Sequence, residues 1–351
     1  MQHEQRYHRQ EILPGFGPEG QERLAEAKIL VVGAGGLGCP VLQYLTAAGV
    51  GQIGVVDGDV VSLSNLHRQV LYDVHDLGKE KATVAVAKLQ LMNPDVQLEK
   101  SVIRINPSNA LDWVNGYDIV VDCTDNFPTR YLLNDACVLA EKPLVYGAVS
   151  MFEGQVAVFN VDGSGQYRDL FPVMPMQHEV KNCAEAGVLG VLPGVIGTMM
   201  AVETIKWITG IGSLLVNQLM TYNALNNQFL TISYQPGKEH QGPKTFEALQ
   251  QERYDFSCGL PTFREWMKDE EVLMVDVREP GEQPEVEGFK HRKIPLGDLT
   301  EKLSELQGHK VVLFCKTGVR SEKGAAMLRE LGVDAYHLMI DVDILRSIKQ
   351  D

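Results

Sequence analysis

The feature that most constrains this chain is a glycine-rich loop between a predicted strand and a predicted helix. The apolar run Lys28–Val32 predicts a buried strand, the sequence GAGGLG follows it, and Gly36–Ala48 predicts a helix. Glycines in such a loop let the backbone approach phosphate groups, and the helix N-terminus adds partial positive charge. A second predicted strand, Gln52–Asp57, ends in a carboxylate suited to ribose hydroxyls. The glycines of the loop are Gly33, Gly35, Gly36 and Gly38.

The alternation of strand and helix patterns continues to about Tyr234. Helical spacing of apolar residues over Glu80–Met92 is followed by the strand-like YDIVVDC, a helix over Thr129–Ala140 and a strand over Pro143–Gly147. Such alternation predicts an α/β protein with a doubly wound, largely parallel nucleotide-binding sheet. This glycine pattern is most common in NAD-dependent dehydrogenases, so an NAD-dependent dehydrogenase is the first alternative for the function of this chain.

The length of 351 residues predicts about two domains. We place the first at residues 1–235, a Pro- and Gly-containing linker at 236–261, and a smaller α/β domain at 262–351. The net charge of −14 argues against nucleic acid or an anionic membrane as a partner. The polar first residues show no signal-peptide pattern, so we expect a cytoplasmic protein.

Polar residues beyond the second strand do not fit a dehydrogenase. Arg68 lies in GDVVSLSNLHRQ after that strand, Lys81 lies in GKEKA at a helix start, and Asp125 lies in DCTDN after the next strand. Arg68 and Lys81 are suited to phosphate oxygens, and Asp125 is suited to Mg²⁺. A site that splits ATP at its α-phosphate needs such groups, because charge builds on the leaving pyrophosphate.

Five spaced motifs resemble the ThiF/MoeB family, bacterial relatives of the ubiquitin-activating enzymes. They are RYHRQ, VVGAGGLG, VDGDVVSLSNLHRQ, GKEKA and DCTDN, and the resemblance covers about the first 235 residues. It implies adenylation, with ATP and Mg²⁺, of the C-terminal Gly-Gly of a ubiquitin-like sulfur-carrier protein (MoaD/ThiS-like). It also implies a homodimer, because Arg9 matches an arginine that in the family reaches into the partner subunit's ATP site.

The resemblance also implies roles for individual residues. The glycine loop would lie under the phosphates, Asp57 would bind the ribose, and Asp125 would hold Mg²⁺. Arg9, Arg68 and Lys81 would offset charge during the reaction. The other implied ATP-contacting residues are Asp59, Ser64, Asn65, Leu66, His67, Gln69 and Asn126.

The six cysteines form no CxxC pair, because no two are three residues apart. Cys183 lies in NCAEAGVLG, which resembles the segment that carries the family's crossover-loop cysteine, and we expect it to take part in catalysis or covalent transfer. Cys258 lies in the predicted linker, where we expect it to be exposed. The cysteines that fall in core-like elements, and are interpreted as structural, are Cys39, Cys123 and Cys137.

Most members of the family bind a structural zinc ion through two CxxC pairs. In this chain the positions of the first pair hold Gln166 and Asp169, and the segment after Leu230 offers no second pair. We therefore expect no zinc, with side-chain packing in its place.

The C-terminal part contains CKTGVRS, a loop between a predicted strand, Lys310–Cys315, and a predicted helix. Backbone N–H groups, the helix N-terminus and Arg320 would stabilise an anion on the Cys315 sulfur. Four residues separate Cys315 from Arg320, which suits a persulfide better than a phosphate. With the earlier VDVRE, this loop is similar to a rhodanese domain. Residues 280–297 depart from the usual rhodanese sequence, so we expect a reshaped pocket wall.

Both parts together predict a sulfur-carrier adenylyltransferase with a sulfurtransferase domain. Cys315, loaded as a persulfide by a donor such as a cysteine desulfurase, would attack the adenylated carboxylate and produce a carrier thiocarboxylate. We favour molybdopterin cofactor biosynthesis, with thiamine biosynthesis and tRNA thiolation as alternatives within the family. An NAD-dependent oxidoreductase and a non-catalytic protein that docks sulfur carriers are the alternatives outside it.

Overall fold

The computed structural model describes residues 6–175, 187–237, 242–252, 254–338 and 342–345, which divide into two units. Of the described residues, the first unit holds those up to Met174 and 187–254, and the second holds Pro175 and those from Asp255 onward. Cys183, the predicted crossover cysteine, lies outside the described residues. No helix in the described ranges is long and apolar enough to cross a membrane.

The first unit is built on one mixed sheet of eight strands. They are β1 Lys28–Val32, β2 Gln52–Val56, β3 Gln97–Ser101, β4 Ile119–Asp122, β5 Leu144–Ser150, β6 Glu153–Phe159, β7 Gln218–Asn223 and β8 Gln228–Ser233. Their order is β3-β2-β1-β4-β5-β6-β7-β8, parallel from β3 to β5 and antiparallel from β5 to β8. The chain winds to one side of β1 and then to the other, so β1 and β4 form the switch point where such sheets bind ligands. The predicted doubly wound, largely parallel sheet is confirmed.

Helices cover both faces of this sheet. They are α1 His8–Glu11, α2 Gly17–Glu26, α3 Gly38–Ala48, α4 Lys81–Met92, α5 Ala110–Asn115, α6 Phe127–Leu139, α7 Tyr167–Leu170, α8 Leu192–Thr209 and α9 Phe246–Gln251. Ile29 of β1 belongs to one core cluster with Leu42 of α3, whereas its neighbour Leu30 belongs to a second cluster with Leu133 of α6. Burial on both faces explains why the parallel strands have unbroken apolar sequences.

A buried polar network joins α6, α7 and the end of the first unit. Asp135 is fully buried and pairs with Arg168 at two points, Nε to Oδ1 at 2.8 Å and Nη2 to Oδ2 at 2.7 Å. The Tyr254 OH donates to the same carboxylate at 2.6 Å. Gln166 and Asp169, at the positions of the family's first CxxC pair, form a capping box that starts α7. We interpret these contacts as the packing that replaces a zinc link, while the absence of zinc stays a prediction.

The segment predicted as a linker contains regular structure. Leu249 of α9 is buried in the core of the first unit, and β9, Ser257–Cys258, is an edge strand of the second sheet. Cys258 is only 2% exposed, so the expectation of an exposed thiol is wrong. A two-residue strand is too short to show periodicity, which is why the sequence pattern did not reveal it. The domain boundaries predicted from the sequence stay predictions.

The second unit has a parallel sheet of five strands, in the order β11-β10-β12-β13-β9, and this confirms a small α/β unit after the first. Its further strands are β10 Val272–Asp276, β11 Arg292–Lys293, β12 Lys310–Phe314 and β13 Asp334–Leu338. Its helices are α10 Leu260–Trp266, α11 Leu303–Leu306, α12 Val319–Glu330 and α13 Val342–Leu345. Because β12 is the central strand, its apolar side chains are buried on both faces and its carboxyl end lies in the middle of the sheet edge.

We expect Asp135→Ala to lower the free energy of unfolding by about 3 kcal/mol or more, because it leaves the Arg168 guanidinium without its carboxylate. Urea denaturation followed by circular dichroism measures the change. Glu22→Ala removes an exposed carboxylate from α2 and is the control, with an expected change below about 0.5 kcal/mol. Equally small effects of the two substitutions would show that the buried network does not stabilise the unit.

Candidate functional site

The glycine loop lies where the carboxyl ends of β1 and β4 meet. Gly33 has a φ of +98°, and a Cβ there would lie 2.7 Å from the carbonyl oxygen of Cys123. A Cβ on Gly38 would lie 2.0 Å from the carbonyl oxygen of Gly33. At Gly35 the nearest atom would be Nε2 of the Gln69 side chain, at 3.4 Å. The fold therefore requires glycine at positions 33 and 38, whereas Gly35 leaves the backbone open to a ligand.

The helix after the loop presents its N-terminus to the same opening. α3 starts at Gly38, and no side chain caps its first turn. The first N–H groups of a helix have no partners within the helix, and together with the helix dipole they attract anions. The loop and the helix start are therefore suited to hold a phosphate group.

Asp57 fixes the loop from the end of β2. Its Oδ2 accepts a hydrogen bond from Ala34 N and its Oδ1 accepts one from Asp59 N, both at 2.8 Å. Burial raises the pKa of Asp57 above its usual value, and the nearby Lys81 ammonium opposes that shift. Tyr72, which sequence reasoning missed, donates from its OH to Ala34 O at 2.7 Å. Asp57 thus has a structural task in the loop besides its predicted contact with ribose.

Lys81 is the first residue of α4 and is only 4% exposed. Its Nζ lies 3.3 Å from Asp59 Oδ2, and Asp59 Oδ1 accepts a hydrogen bond from Arg104 Nη2 at 2.8 Å. A buried ammonium requires a partner, so Asp59 holds Lys81 in one position. The exposed Arg104 adds another positive charge beside this pair, and sequence reasoning missed it because it lies in none of the motifs.

The segment that contains Arg68 folds back beside the glycine loop. Arg68 Nη2 donates to Asn65 Oδ1 at 3.1 Å, and its Nη1 donates to Ser64 O at 3.3 Å. The same Nη1 lies 2.9 Å from His67 Nε2. A Cβ on Gly36 would lie 3.6 Å from Arg68 Cγ, so this side chain contacts the loop. The predicted cation is therefore both near the loop and held in place.

Gln69 and Leu66 of this segment have different surroundings. Gln69 is 4% exposed, and its Nε2 faces Gly35. Its Oε1 is buried and has no hydrogen-bond partner within the described ranges. Since buried polar atoms are normally paired, the Gln69 amide is available to a group bound at the loop. Leu66 packs against the hydrophobic core, so its side chain can contribute only apolar contact.

Asp125 and Asn126 follow β4 on the other side of the switch point. Asp125 is exposed. Asn126 caps α6, because its side chain accepts a hydrogen bond from Thr129 N at 3.0 Å. This cap gives Asn126 a structural role that does not depend on its predicted contact with ATP.

Two buried residues beside them were missed by sequence reasoning. Asp122, the last residue of β4, accepts hydrogen bonds from Thr124 N at 2.9 Å and from Thr124 Oγ1 at 2.6 Å. Burial raises the pKa of Asp122, and the Arg130 guanidinium opposes that shift. Arg130 Nη2 donates to Thr124 O at 3.0 Å, and its guanidinium lies 5.4 Å from the centre of the Tyr146 ring. The first aspartate of DCTDN was the available signal for Asp122, whereas no pattern marked Arg130.

Arg9 is exposed on α1, away from the glycine loop of its own chain. The next residue, Gln10, donates to Ala48 O at 3.2 Å, which places α1 at the end of α3 opposite Gly38. The 11 residues of α3 span about 16 Å. The described chain therefore does not bring Arg9 into its own site, and the predicted role across a dimer stays a prediction.

In the second unit, Cys315 directly follows β12 and is 2% exposed. The Ser321 N lies 3.4 Å from the Cys315 Sγ, and the Ser321 Oγ lies 3.5 Å from it. Gly318, with a φ of +91°, turns the chain into α12. A backbone N–H and the start of a helix therefore face the sulfur, and both favour negative charge on it.

Arg320 is near enough to Cys315 for their charges to interact, and it also has a carboxylate partner. Its Nη1 and Nη2 both donate to Glu282, the second at 2.7 Å. The Arg320 hydrogen bond, helped by one from Glu279 N, lowers the pKa of Glu282 to about 2. Glu282 therefore stays ionised at neutral pH. Sequence reasoning missed this residue, which lies in the segment that departs from the usual rhodanese sequence.

An open glycine loop at the switch point of a doubly wound sheet defines a nucleotide-binding α/β protein. Residues 7–243 match the ThiF family, and residues 260–340 match the rhodanese-like domain. The chain belongs to the ThiF family. The family predicted from the motifs is confirmed for both parts of the chain, and the dehydrogenase alternative is set aside.

Two curated relatives and one solved structure are similar to this chain. The chain is 53% identical over 264 residues to the "Sulfur carrier protein adenylyltransferase" of Thermus thermophilus, covering 73% of this chain and 96% of the relative. It is 42% identical over 358 residues to the "Probable adenylyltransferase/sulfurtransferase MoeZ" of Mycobacterium tuberculosis, covering 95% and 90%. The crystal structure of Escherichia coli MccB with ATP has a similar fold, with a TM-score of 0.56 and 23% identity over 63% of this chain and 67% of MccB.

We expect Gly38→Ala to destabilise the first unit by about 2 kcal/mol or more, because the added methyl group would overlap the Gly33 carbonyl oxygen. Gly35→Ala is the matched control and should cost less than about 1 kcal/mol, since only the end of the Gln69 side chain lies near. Urea unfolding of both variants measures the difference. Equal losses of stability would contradict the distinction between the two glycines.

Proposed function

We propose that this chain adenylates the C-terminal carboxylate of a small ubiquitin-like sulfur-carrier protein and then transfers sulfur to it through Cys315. The observation that carries the proposal is the meeting of an open glycine loop with two held cations, Arg68 and Lys81, at one edge of the sheet. The second unit of the same chain holds a cysteine at a helix start. Relatives that span both units, named adenylyltransferase and sulfurtransferase, support the combination.

In the first half-reaction, a carboxylate oxygen of the carrier bonds to the α-phosphorus of ATP, and pyrophosphate leaves. Negative charge grows on the pyrophosphate, so donors that are fixed in advance lower the barrier most. The open backbone at Gly35 and the start of α3 hold the phosphates. Lys81 and Arg104 share the single carboxylate of Asp59, so one positive charge remains there to offset the new charge. Arg68, held by Asn65, also offsets this charge, beside Gly36.

The residues after β4 fit a bound Mg²⁺ ion. Asp125 presents an exposed carboxylate there, and Mg²⁺ prefers oxygen ligands. Among the side chains that the structure describes, no three of His, Cys, Asp or Glu come together as a metal cage. Mg²⁺ at nucleotide sites is held by one or two carboxylates together with phosphates, so a single Asp125 suits it. When bound, the ion neutralises phosphate charge.

In the second half-reaction, Cys315 carries sulfur supplied by a persulfide donor, such as a cysteine desulfurase. The terminal sulfur of the Cys315 persulfide bonds to the carrier's carbonyl carbon, AMP leaves, and an acyl disulfide joins the carrier to Cys315. A thiol then attacks the Cys315 sulfur and releases the carrier thiocarboxylate. We assign the attacking thiol to Cys183. The alternative role for Cys183 is to hold the acyl group of the carrier before the persulfide attacks. The disulfide that remains is reduced by an external thiol.

The proposed carrier belongs to molybdopterin cofactor biosynthesis, and carriers for thiamine biosynthesis and tRNA thiolation are the alternatives because they also end in Gly-Gly. We further propose a cytoplasmic homodimer in which the partner subunit's Arg9 completes each adenylation site. The exposure of Arg9 and its place at the far end of α3 support this arrangement.

Exchange of pyrophosphate with ATP, measured with a panel of ubiquitin-like carriers, tests the first half-reaction. We expect exchange with one carrier, and a decrease of about 100-fold or more in Asp125→Ala, because the Mg²⁺ ligand is lost. Gly35→Ala should raise the KM for ATP about tenfold in a folded protein, because the methyl group blocks the phosphates. Asp112→Ala, an exposed carboxylate on α5, is the control with unchanged exchange. Full exchange by Asp125→Ala would contradict the assigned site.

Cys315→Ala separates the two half-reactions. We expect it to abolish thiocarboxylate formation while ATP–pyrophosphate exchange continues at the wild-type rate, because Cys315 is not part of the adenylation site. Mass spectrometry of the carrier measures the replacement of oxygen by sulfur. Cys258→Ala removes another buried thiol of the second unit and is the control, with sulfur transfer retained. Thiocarboxylate made by Cys315→Ala would refute the proposed sulfur route.

A further inference from the structure

The segment 280–297 contributes one carboxylate, that of Glu282, to the cysteine loop, residues 315–321, where it pairs with Arg320. Glu282 accepts hydrogen bonds from both terminal nitrogens of Arg320, with 2.7 Å between Nη2 and Oε2. The side chains of Arg320 and Glu282 are 32% and 29% exposed, so a small molecule can reach the pair. The arginine that the sequence predicts as the anion-stabilising group is thus already occupied by an anion from its own chain.

The position of Glu282 is set by its own turn. Glu279 N donates to Glu282 Oε1 at 2.8 Å, and Glu282 N donates to Glu279 O at 3.2 Å. Arg278, which forms a buried ion pair with Asp276 of β10, donates from Nη1 to Pro284 O at 2.8 Å. These contacts anchor the turn on both sides of Glu282. The carboxylate is therefore held at the loop before any substrate arrives.

The charges around the Cys315 sulfur determine how strongly an anion is attracted. Paired with Glu282, Arg320 contributes no net charge, and the Glu279 carboxylate also acts on its guanidinium. The groups left to stabilise an anion are the backbone of the loop, the start of α12 and the exposed Lys316. They are adequate for one negative charge on sulfur. An incoming dianion finds Arg320 already paired, and the carboxylates of Glu279 and Glu282 repel it.

We infer that Glu282 makes this pocket select a persulfide over thiosulfate, so that it is a specificity-determining residue for the loading of Cys315. The inference rests on the proposed sulfur transfer. With either donor the Cys315 thiolate attacks the outer sulfur, the donor's sulfur–sulfur bond breaks, and a Cys315 persulfide forms. The leaving group is sulfite when the donor is thiosulfate, a dianion, and a thiolate when the donor is a persulfide. Only the dianion requires the arginine that Glu282 occupies.

Loading of Cys315 in the full-length protein, followed by mass spectrometry, tests the inference with thiosulfate and cysteine persulfide as the two donors. We expect the wild-type protein to be loaded faster by cysteine persulfide. Glu282→Gln should raise the second-order rate constant for thiosulfate roughly tenfold, because it removes one negative charge beside Arg320. The rate constant for cysteine persulfide should change less than about threefold.

Two variants separate charge from structure. Glu282→Asp keeps the charge and should keep the wild-type preference, which a purely structural role would not predict. Glu287→Gln removes the same charge from an exposed position of the same segment and should change neither rate. The inference would be overturned, while sulfur transfer itself stands, if Glu282→Gln kept the wild-type ratio of the two rate constants. The same holds if it lowered the rate constants for both donors equally. Loading of the wild-type protein by neither donor would refute both the proposed sulfur transfer and this selectivity.

Discussion

The candidate ATP site depends on a close approach of backbone to backbone at the switch point of the first sheet. Gly38 lies against the carbonyl oxygen of Gly33, and Gly33 lies against that of Cys123, with no room for a side chain at either contact. This approach brings the start of α3 to the carboxyl ends of β1 and β4. Asp57 and Tyr72 then hold the intervening residue, Ala34, by its N–H and its carbonyl oxygen. Gly35, which follows this fixed residue, leaves its backbone open to a ligand.

The cations of both units share one design, in which a side-chain acceptor holds each cation in place. Asp59 holds Lys81, and Asn65 holds Arg68. In the second unit Glu282 holds Arg320. Groups that are already oriented need no rearrangement when charge develops, which is the main electrostatic advantage of a folded site over water. The partner also sets how much charge the cation still offers, and this is what separates the two sites. An amide leaves the charge of Arg68 intact, and the single carboxylate of Asp59 is shared by Lys81 and Arg104, so one positive charge remains there. Glu282, in contrast, cancels the charge of Arg320.

Much of the fold and many of the site residues could be predicted because the signals are local. Strands buried on both faces give unbroken apolar runs such as Lys28–Val32, and the order of strands and helices then predicts the doubly wound sheet. Residues that follow different parallel strands, such as Asp57 and Asp125, were expected at one edge because the carboxyl ends of those strands share it. The prediction needed only the motif and the strand before it.

The residues that were missed depend on contacts between distant segments. Arg104 is defined by its bond to Asp59, and the buried Asp135 by its bonds to Arg168 and Tyr254, none of which leaves a pattern in the sequence. Glu282 lies 38 positions from Arg320 in a segment without a recognisable motif. Such pairings follow from the packed fold, so only coordinates reveal them.

The most direct test of the central claim follows the oxygen atoms of the carrier. With a carrier whose terminal carboxylate is labelled with heavy oxygen, attack on the α-phosphorus followed by sulfur transfer must leave one labelled oxygen in AMP. We predict that label in AMP and none in pyrophosphate, detected by mass spectrometry of the nucleotide products. Unlabelled AMP, or label in inorganic phosphate, would contradict an acyl-adenylate formed at the glycine loop.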